Sequence, residues 1–179
     1  MSGTEQGSPP AGSPFWRFSL RYYRQPGVGE ACIALQDGAG IDVNLLLFLL
    51  WQASQGRTFS VADVDHLNSQ IGPWRRMTVM PLREIRRALR SPPALVEAAT
   101  AEAFRSRIKA VELEAERLQQ EAMYQMARSV TLGRPAASPQ DAARDSLAAY
   151  EATSAEPFSK PTVETLLAVF ARLDQQPEE

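Results

Sequence analysis

The feature that most constrains the fold is the stretch GIDVNLLLFLLWQ at residues 40–52. From Val43 to Trp51 every residue is apolar except Asn44. A membrane-spanning helix needs about 20 apolar residues, whereas a run of about 10–14 is typical of a helix buried in a protein core. We therefore predict a central helix over residues 43–55 that other helices cover on all sides, and no membrane span.

The segments around this run have the periodicity of amphipathic helices. Ser13 followed by Pro14 is a typical helix start, and Ser60 with Asp63 has the pattern of a capping box. One buried face is predicted after Gly27 from the spacing of Val28, Ala31, Cys32 and Leu35. No segment shows the alternation of a strand, so we predict an all-α fold, an irregular helical bundle around the central helix.

A long helix is predicted over residues 94–132, because this segment contains neither proline nor glycine and is rich in strong helix formers. Apolar residues in it are spaced alternately four and three apart, as in a heptad repeat: Phe104, Ile108, Val111, Ala115, Leu118 and Ala122. A heptad seam must be buried. Where the helix extends beyond the core, we expect it to contact a partner protein or a second copy of the chain.

The chain divides into four predicted parts. Residues 1–13 are rich in Gly, Ser and Pro and are expected to form a disordered tail, followed by a helical domain over 14–132. Residues 133–160 are expected to be a linker with a weak helix, and 161–175 a C-terminal amphipathic helix. The first residues do not resemble a secretory signal, and Cys32 is the single cysteine, which together favour a cytoplasmic protein.

The net charge of −2 conceals a basic first half and an acidic second half. Arginines but no lysines supply the basic half, and six of them are candidate binding residues: Arg75, Arg76, Arg83, Arg86, Arg87 and Arg90. Guanidinium groups form bidentate pairs with carboxylates and phosphates. Three interpretations follow. In the first, the arginines pair with acidic residues of the long helix, namely Glu112, Glu114, Glu116 and Glu121. In the second they bind an acidic partner protein, and in the third they contact RNA or another polyanion.

Four polar residues lie within otherwise apolar motifs and are candidate buried polar groups: Gln36, Asp37, Asp42 and Asn44. Asp42 is well placed to cap the central helix. A buried amide without a hydrogen-bond partner costs about 1–3 kcal/mol. We therefore expect the fold to provide a partner for Asn44.

Few residues are suited to catalysis. His66 is the only histidine. Glu112 and Glu116 lie one helical turn apart, as in carboxylate metal sites, but the Glu-x-x-His motifs of such sites are missing. Asp37 and Asp42 flank a Gly-rich turn, which leaves a magnesium-dependent prenyl-diphosphate-type enzyme as the remaining enzyme alternative. We expect no catalytic residues, no metal site and no cofactor.

Four motifs follow one another in the order FWRFSLRYYRQPGV, ACIALQDGAGIDVNLLLFLLW, PWRRMTVMPLREIRRALR and VELEAER. Together they resemble an uncharacterised bacterial family of short, all-helical proteins classed as a domain of unknown function. The resemblance covers about residues 14–118, and QD-x4-DVNLLLF-x2-W is its most specific part. It implies a bacterial source and a cytoplasmic location, and it implies no activity, cofactor or ligand.

The residues favour a non-catalytic binding or adaptor protein. It would act through the arginine-rich helix and the long heptad-patterned helix, with another protein or a second copy as the expected partner. The alternative is a polyanion binder that takes RNA or a phosphate-bearing ligand.

Overall fold

A computed structural model describes residues 12–175, and within them the chain is mostly α-helical, which confirms the all-α prediction. The elements in chain order are α1 (Pro14–Tyr23), α2 (Val28–Ala39), α3 (Val43–Ser54), β1 (Arg57–Thr58), α4 (Val61–Trp74), a π-helical segment (Arg75–Val79), α5 (Met80–Ala88), α6 (Ala98–Ser129), β2 (Arg134–Pro135), α7 (Pro139–Thr153) and α8 (Lys160–Asp174). No helix in this part of the chain is long and apolar enough to cross a membrane.

Helix α3 is the centre of the bundle, and its residues from Asn44 to Ala53 are all buried. Phe15 of α1 lies against it, with its ring centroid 5.3 Å from those of both Phe48 and Trp51. Tyr124 of α6 approaches Trp51 from another side, at 5.7 Å between ring centroids. A helix that is apolar on every side is stable in water only when other parts of the protein cover every side. The other helices meet this requirement by packing around α3.

Residues 133–160 differ from the predicted linker with a weak helix. They contain the 15-residue helix α7, which packs directly on α3 and buries Ala142, Ala143, Leu147 and Tyr150. The alanines let the two helices approach closely, but they give little hydrophobic signal in the sequence. Gly133 has a φ of 61° and precedes β2, which pairs antiparallel with β1, a two-stranded element that the sequence does not predict.

Helix α4 contains Pro73, and proline usually ends or kinks a helix. The helix nevertheless continues through Pro73 to Trp74 and is followed by the π-helical segment before α5. Proline has no backbone N–H and crowds the preceding turn, and π-helical turns, which are rare, occur mostly as single turns within α-helices. Pro81 follows this segment at the start of α5.

Several element ends also differ from the prediction. Helix α2 continues into the Gly-rich turn predicted between Asp37 and Asp42 and ends at Ala39, with Gly40 as its C-cap at a φ of 69°. The long helix is Ala98–Ser129, shorter at both ends than 94–132. The predicted disordered tail lies almost entirely in residues 1–11, outside the described residues.

The buried face of α6 is not the predicted heptad seam. The residues that α6 buries are Ala101, Glu112, Ala115, Gln119, Gln120 and Met123. Of the seam, Ala115 is buried, whereas Phe104, Val111 and Leu118 are 43%, 51% and 45% exposed. The apolar pattern misidentified the face because three polar residues occupy buried positions.

We expect Leu49→Asp to abolish folding. Leu49 is fully buried in α3, and an unpaired buried charge costs several kcal/mol, which is comparable to the total stability of about 5–15 kcal/mol of a typical domain. Circular dichroism during thermal unfolding measures the effect. Leu95→Asp is the matched control, because Leu95 is 95% exposed. A Leu49→Asp protein that unfolds at the wild-type temperature would contradict the central position of α3.

Candidate functional site

The turn between α2 and α3 is fixed by Arg75 and Asp42. Asp42 caps α3 by accepting a hydrogen bond from the Leu45 N–H at 3.1 Å, and its other carboxylate oxygen accepts one from Gln119 at 2.9 Å. The Arg75 guanidinium lies 3.4 Å from the same oxygen and donates to the carbonyls of Gly40 and Ile41 at 3.0 Å. Arg75, one of the six candidate binding arginines, therefore has a structural role at this turn.

Asn44 finds the partner that a buried amide requires. The side-chain nitrogen of Gln120 donates to the Asn44 side-chain oxygen at 2.8 Å. Trp74 makes another polar contact with α6, because its indole N–H donates to the Ala115 carbonyl at 3.0 Å. Polar contacts thus fasten α6 to α3 and to the end of α4.

Arg83 and Arg86 form an ion cluster with Glu112 and Glu116 of α6. Arg83 donates to Glu112 at 3.1 Å and to Glu116 at 2.7 Å, and it also donates to the Gln36 side chain at 2.6 Å. Arg86 binds both carboxylate oxygens of Glu112. Among the three interpretations of the arginines, pairing with the long helix thus describes Arg83 and Arg86. Glu114 and Glu121 do not take part, since they bond to Arg117 and Gln125.

The two carboxylates of the ion cluster have pKa values shifted in opposite directions. Burial opposes the ionisation of Glu112, but hydrogen bonds from Arg86 and Arg83 outweigh it and lower the pKa of Glu112. Burial dominates at Glu116 and raises its pKa, with Arg83 opposing and Glu112 reinforcing the shift. Glu112, held by two arginines, is therefore the more firmly ionised group.

The ion cluster forms one side of a pocket of about 880 Å³ between α1, α2, α3, α5 and α6. Apolar side chains line much of it: Trp16, Leu20, Tyr23, Ile33, Val43, Leu47 and Leu113. Cationic side chains are also concentrated there: Arg24, Arg83, Arg86, Arg87, Arg90 and Lys109. The carboxylates that line the pocket, Asp37, Glu112 and Glu116, are fewer.

The exposed cations at the pocket differ in their partners. Arg87 donates to Asp37 at 2.9 Å, and this hydrogen bond is the leading cause of a lowered pKa for Asp37. Within residues 12–175, Arg24, Arg90 and Lys109 make no ion pair with a carboxylate within 4.0 Å. They give the pocket an excess of positive charge.

Two buried polar groups of the pocket lack a hydrogen-bond partner in the described chain. They are the Ser19 hydroxyl and the side-chain oxygen of Gln120, in residues that are 2% and 3% exposed. The nitrogen of the same Gln120 amide is engaged with Asn44, so its oxygen remains an acceptor for another donor.

The structure brings most of the predicted site residues to one place. Gln36, Asp37 and Asn44 line the same pocket as Arg83, Arg86, Arg87 and Arg90, whereas Asp42 and Arg75 lie at the turn beside it and exposed Arg76 lies outside it. Of the four predicted buried polar residues, Asp42 and Asn44 are buried and Gln36 is half-buried. The prediction is wrong for Asp37, which is exposed in its pair with Arg87. Sequence reasoning missed Ser19, Gln119, Gln120, Arg24 and Lys109. The sequence does contain a signal for the burial of the two glutamines. They follow the buried Ala115 by four and five residues, which places them near the same face of the helix.

The described residues include no group of three or more His, Cys, Asp or Glu side chains that could hold a metal ion. Asp37 and Asp42, the pair considered for magnesium, are bound by different arginines, Arg87 and Arg75. Of these two aspartates, only Asp37 lines the pocket. The Cys32 thiol is buried, and this burial raises its pKa to about 12.

The chain matches the family described as "Protein of unknown function (DUF2390)" over residues 14–123, which is more than half of its length. This range contains every side chain that lines the pocket. Comparisons with curated proteins and with solved structures give no match.

Replacing Glu112 by Gln should destabilise the protein at neutral pH. Removing one partner of a buried ion pair costs about 3–5 kcal/mol. Arg83 and Arg86 are 16% and 18% exposed, so partial screening by solvent reduces the expected loss to about 2 kcal/mol. Because the pKa of Glu112 is lowered in the folded state, the carboxylate contributes fully to stability above its ordinary pKa of 4.5. This contribution to stability is lost as the pH falls through the folded-state pKa.

Urea unfolding at several pH values measures this difference. The deficit of Glu112→Gln relative to wild type should shrink as the pH falls below about 4.5. Glu114→Gln is the matched control, because Glu114 is 55% exposed in its pair with Arg117, and it should change stability by less than about 1 kcal/mol. A Glu112→Gln deficit that does not vary with pH would contradict the electrostatic role of the cluster.

Proposed function

The chain belongs to the DUF2390 family, and we propose that it is a non-catalytic binding protein whose pocket takes a small anion with an apolar body. The observation that carries this proposal is the combination, in one pocket, of an apolar wall and an excess of cationic side chains. At about 880 Å³ the pocket has the size of small-molecule sites, which commonly occupy about 300–1,000 Å³.

The cations support an anionic group on the ligand. Arg83 and Arg86 are already neutralised by Glu112 and Glu116, so the attraction comes from Arg24, Arg90 and Lys109. A hydrogen bond between such a cation and a carboxylate, sulfonate or phosphate is about twice as strong as one between neutral groups. Arg87 can also bind the anionic group of the ligand by giving up its exposed ion pair with Asp37.

The apolar wall supports a ligand larger than a simple inorganic anion. Trp16, Leu20 and Leu113 line the pocket beside the cations, and covering apolar surface contributes about 25 cal/mol per Å². Ser19 and Gln120 add specificity, because the free Gln120 oxygen accepts a hydrogen bond from a ligand N–H or O–H group. A ligand that satisfies these buried groups removes the cost of about 1–3 kcal/mol of leaving them unpaired.

The carboxylates of the pocket support binding without chemistry. Glu112 is held by two arginines, Glu116 by Arg83, and Asp37 by Arg87. Each carboxylate therefore has a partner within the protein. A cytoplasmic location and a bacterial source are part of this proposal, and the buried single cysteine is compatible with the former.

A second candidate function is that of an adaptor for another protein. It is favoured by the exposed apolar residues of α6, Phe104, Val111 and Leu118. Arg76, Arg87 and Arg90 are also exposed on the segment before α6 and could contact an acidic partner. RNA is a weaker alternative, because Arg83 and Arg86 are held by carboxylates of the chain itself.

Two fluorescent probes that differ in their charge test the proposed function. Anilinonaphthalene sulfonate joins an anionic group to an aromatic body, and phenylnaphthylamine has the same ring system without the sulfonate. We expect saturable binding of the sulfonate and weaker binding of the neutral probe. In a variant with Arg90→Ala and Lys109→Ala, affinity for the sulfonate should fall about tenfold, whereas affinity for the neutral probe should not change.

A variant with Lys160→Ala and Arg172→Ala is the matched control, because it removes one lysine and one arginine that are exposed on α8, outside the pocket. It should bind both probes as wild type does. Equal affinity for the two probes, or the same loss in both double variants, would contradict a cationic pocket. Binding of RNA with a steep dependence on salt and no probe binding would favour the polyanion alternative.

A further inference from the structure

Helix α6 carries an exposed apolar row that the proposed pocket does not use. Phe104, Val111 and Leu118 are spaced seven residues apart and are 43%, 51% and 45% exposed. Leu113 and Lys109, which line the pocket, lie on other sides of the helix, since successive residues are rotated by about 100°. The row is therefore a separate surface, and the three side chains extend over about 21 Å of helix.

Opposite charges follow the row along one flank. Arg107 and Glu114 are also seven residues apart, and each lies near the row on the same side of α6. The Arg107 guanidinium rests 5.6 Å from the centre of the Phe104 ring and, within residues 12–175, makes no ion pair with a carboxylate. Glu114 bonds to Arg117 in an exposed pair, which is worth little and is easily exchanged.

From this pattern we propose that the row binds a second copy of the chain, with the two α6 helices antiparallel and Val111 on the two-fold axis. Phe104 of each copy then lies against Leu118 of the other. Positions whose numbers add up to about 222 face each other in this arrangement, so Arg107 of one copy faces Glu114 of the second copy. The two charges thus pair twice across one interface, which is the self-complementarity that a two-fold interface requires.

The charges decide the orientation. A parallel pair would place Phe104 against Phe104 and Leu118 against Leu118, and its two-fold axis would run along the helices. The flank with Arg107 and Glu114 would then lie on opposite sides of the interface in the two copies, where these residues cannot meet. Only the antiparallel pair joins apolar contact with opposite charges.

The size of the surface sets the strength of association. Three large apolar residues on one helix form a small interface, and interfaces below about 1,200 Å² in total are typical of weak, transient complexes. The two copies should therefore be in a dynamic equilibrium between monomer and dimer. This equilibrium is independent of the pocket, because no residue of the row lines it.

Cysteine cross-linking tests both the interface and its orientation. We expect Val111→Cys to form a disulfide-linked dimer under mild oxidation, and Leu113→Cys, which is equally exposed at 52%, to remain monomeric. Phe104→Cys mixed with Leu118→Cys should cross-link, while either variant alone should not. The native Cys32 does not interfere, because its thiol is buried and this burial raises its pKa to about 12.

The charge pair provides a second measurement by sedimentation velocity. Arg107→Glu and Glu114→Arg should each reduce the dimer fraction of the full chain, because they place like charges across the interface, and the double variant should restore it. Cross-linking of Phe104→Cys alone would overturn the antiparallel arrangement. Cross-linking of Val111→Cys no faster than of Leu113→Cys, or no recovery in the double charge variant, would overturn the interface.

Discussion

The burial of α3 on every side is the constraint on which the rest of the structure depends. Its residues from Asn44 to Ala53 are all buried, whichever side of the helix they lie on, so a two-helix or single-layer arrangement cannot cover them. Helices α1, α2, α6 and α7 surround it, and α7 does so with alanines that permit close approach. The cover comes from segments more than 100 residues apart in the chain, so we expect them to fold and unfold together.

Polar contacts determine how the covering helices are aligned, and this alignment creates the pocket. Glu112, Gln119 and Gln120 lie on the buried face of α6 and bond to Arg83 and Arg86, to Asp42 and to Asn44. An apolar face would slide over α3 more easily, whereas these bonds specify one register. The bonds of Glu112 also hold Arg83 and Arg86 against α6, whereas Arg90 and Lys109 line the same pocket without holding a carboxylate of the described chain. The ion cluster and these cations therefore lie next to each other.

The sequence predicts those parts of the structure that depend on local physical rules. The apolar run predicts α3, Asp42 predicts its cap, and Ser60 with Asp63 predicts the capping box of α4. Parts that depend on long-range contacts are not predictable in this way. The predicted buried face of α6 was wrong because the true buried face is partly polar. Helix α7 was predicted only as a weak helix because its alanines give little hydrophobic periodicity. The pocket could not be predicted, since five separate helices build its walls.

The central claim is that the pocket between α1, α2, α3, α5 and α6 binds an anion with an apolar body. Its most direct test is two-dimensional NMR of the nitrogen-labelled protein with anilinonaphthalene sulfonate. The account predicts shifts at the backbone of Ser19 and at the side-chain amides of Asn44 and Gln120, with little change in α7 and α8. Shifts concentrated along Phe104, Val111 and Leu118, or spread evenly over the protein, would contradict it.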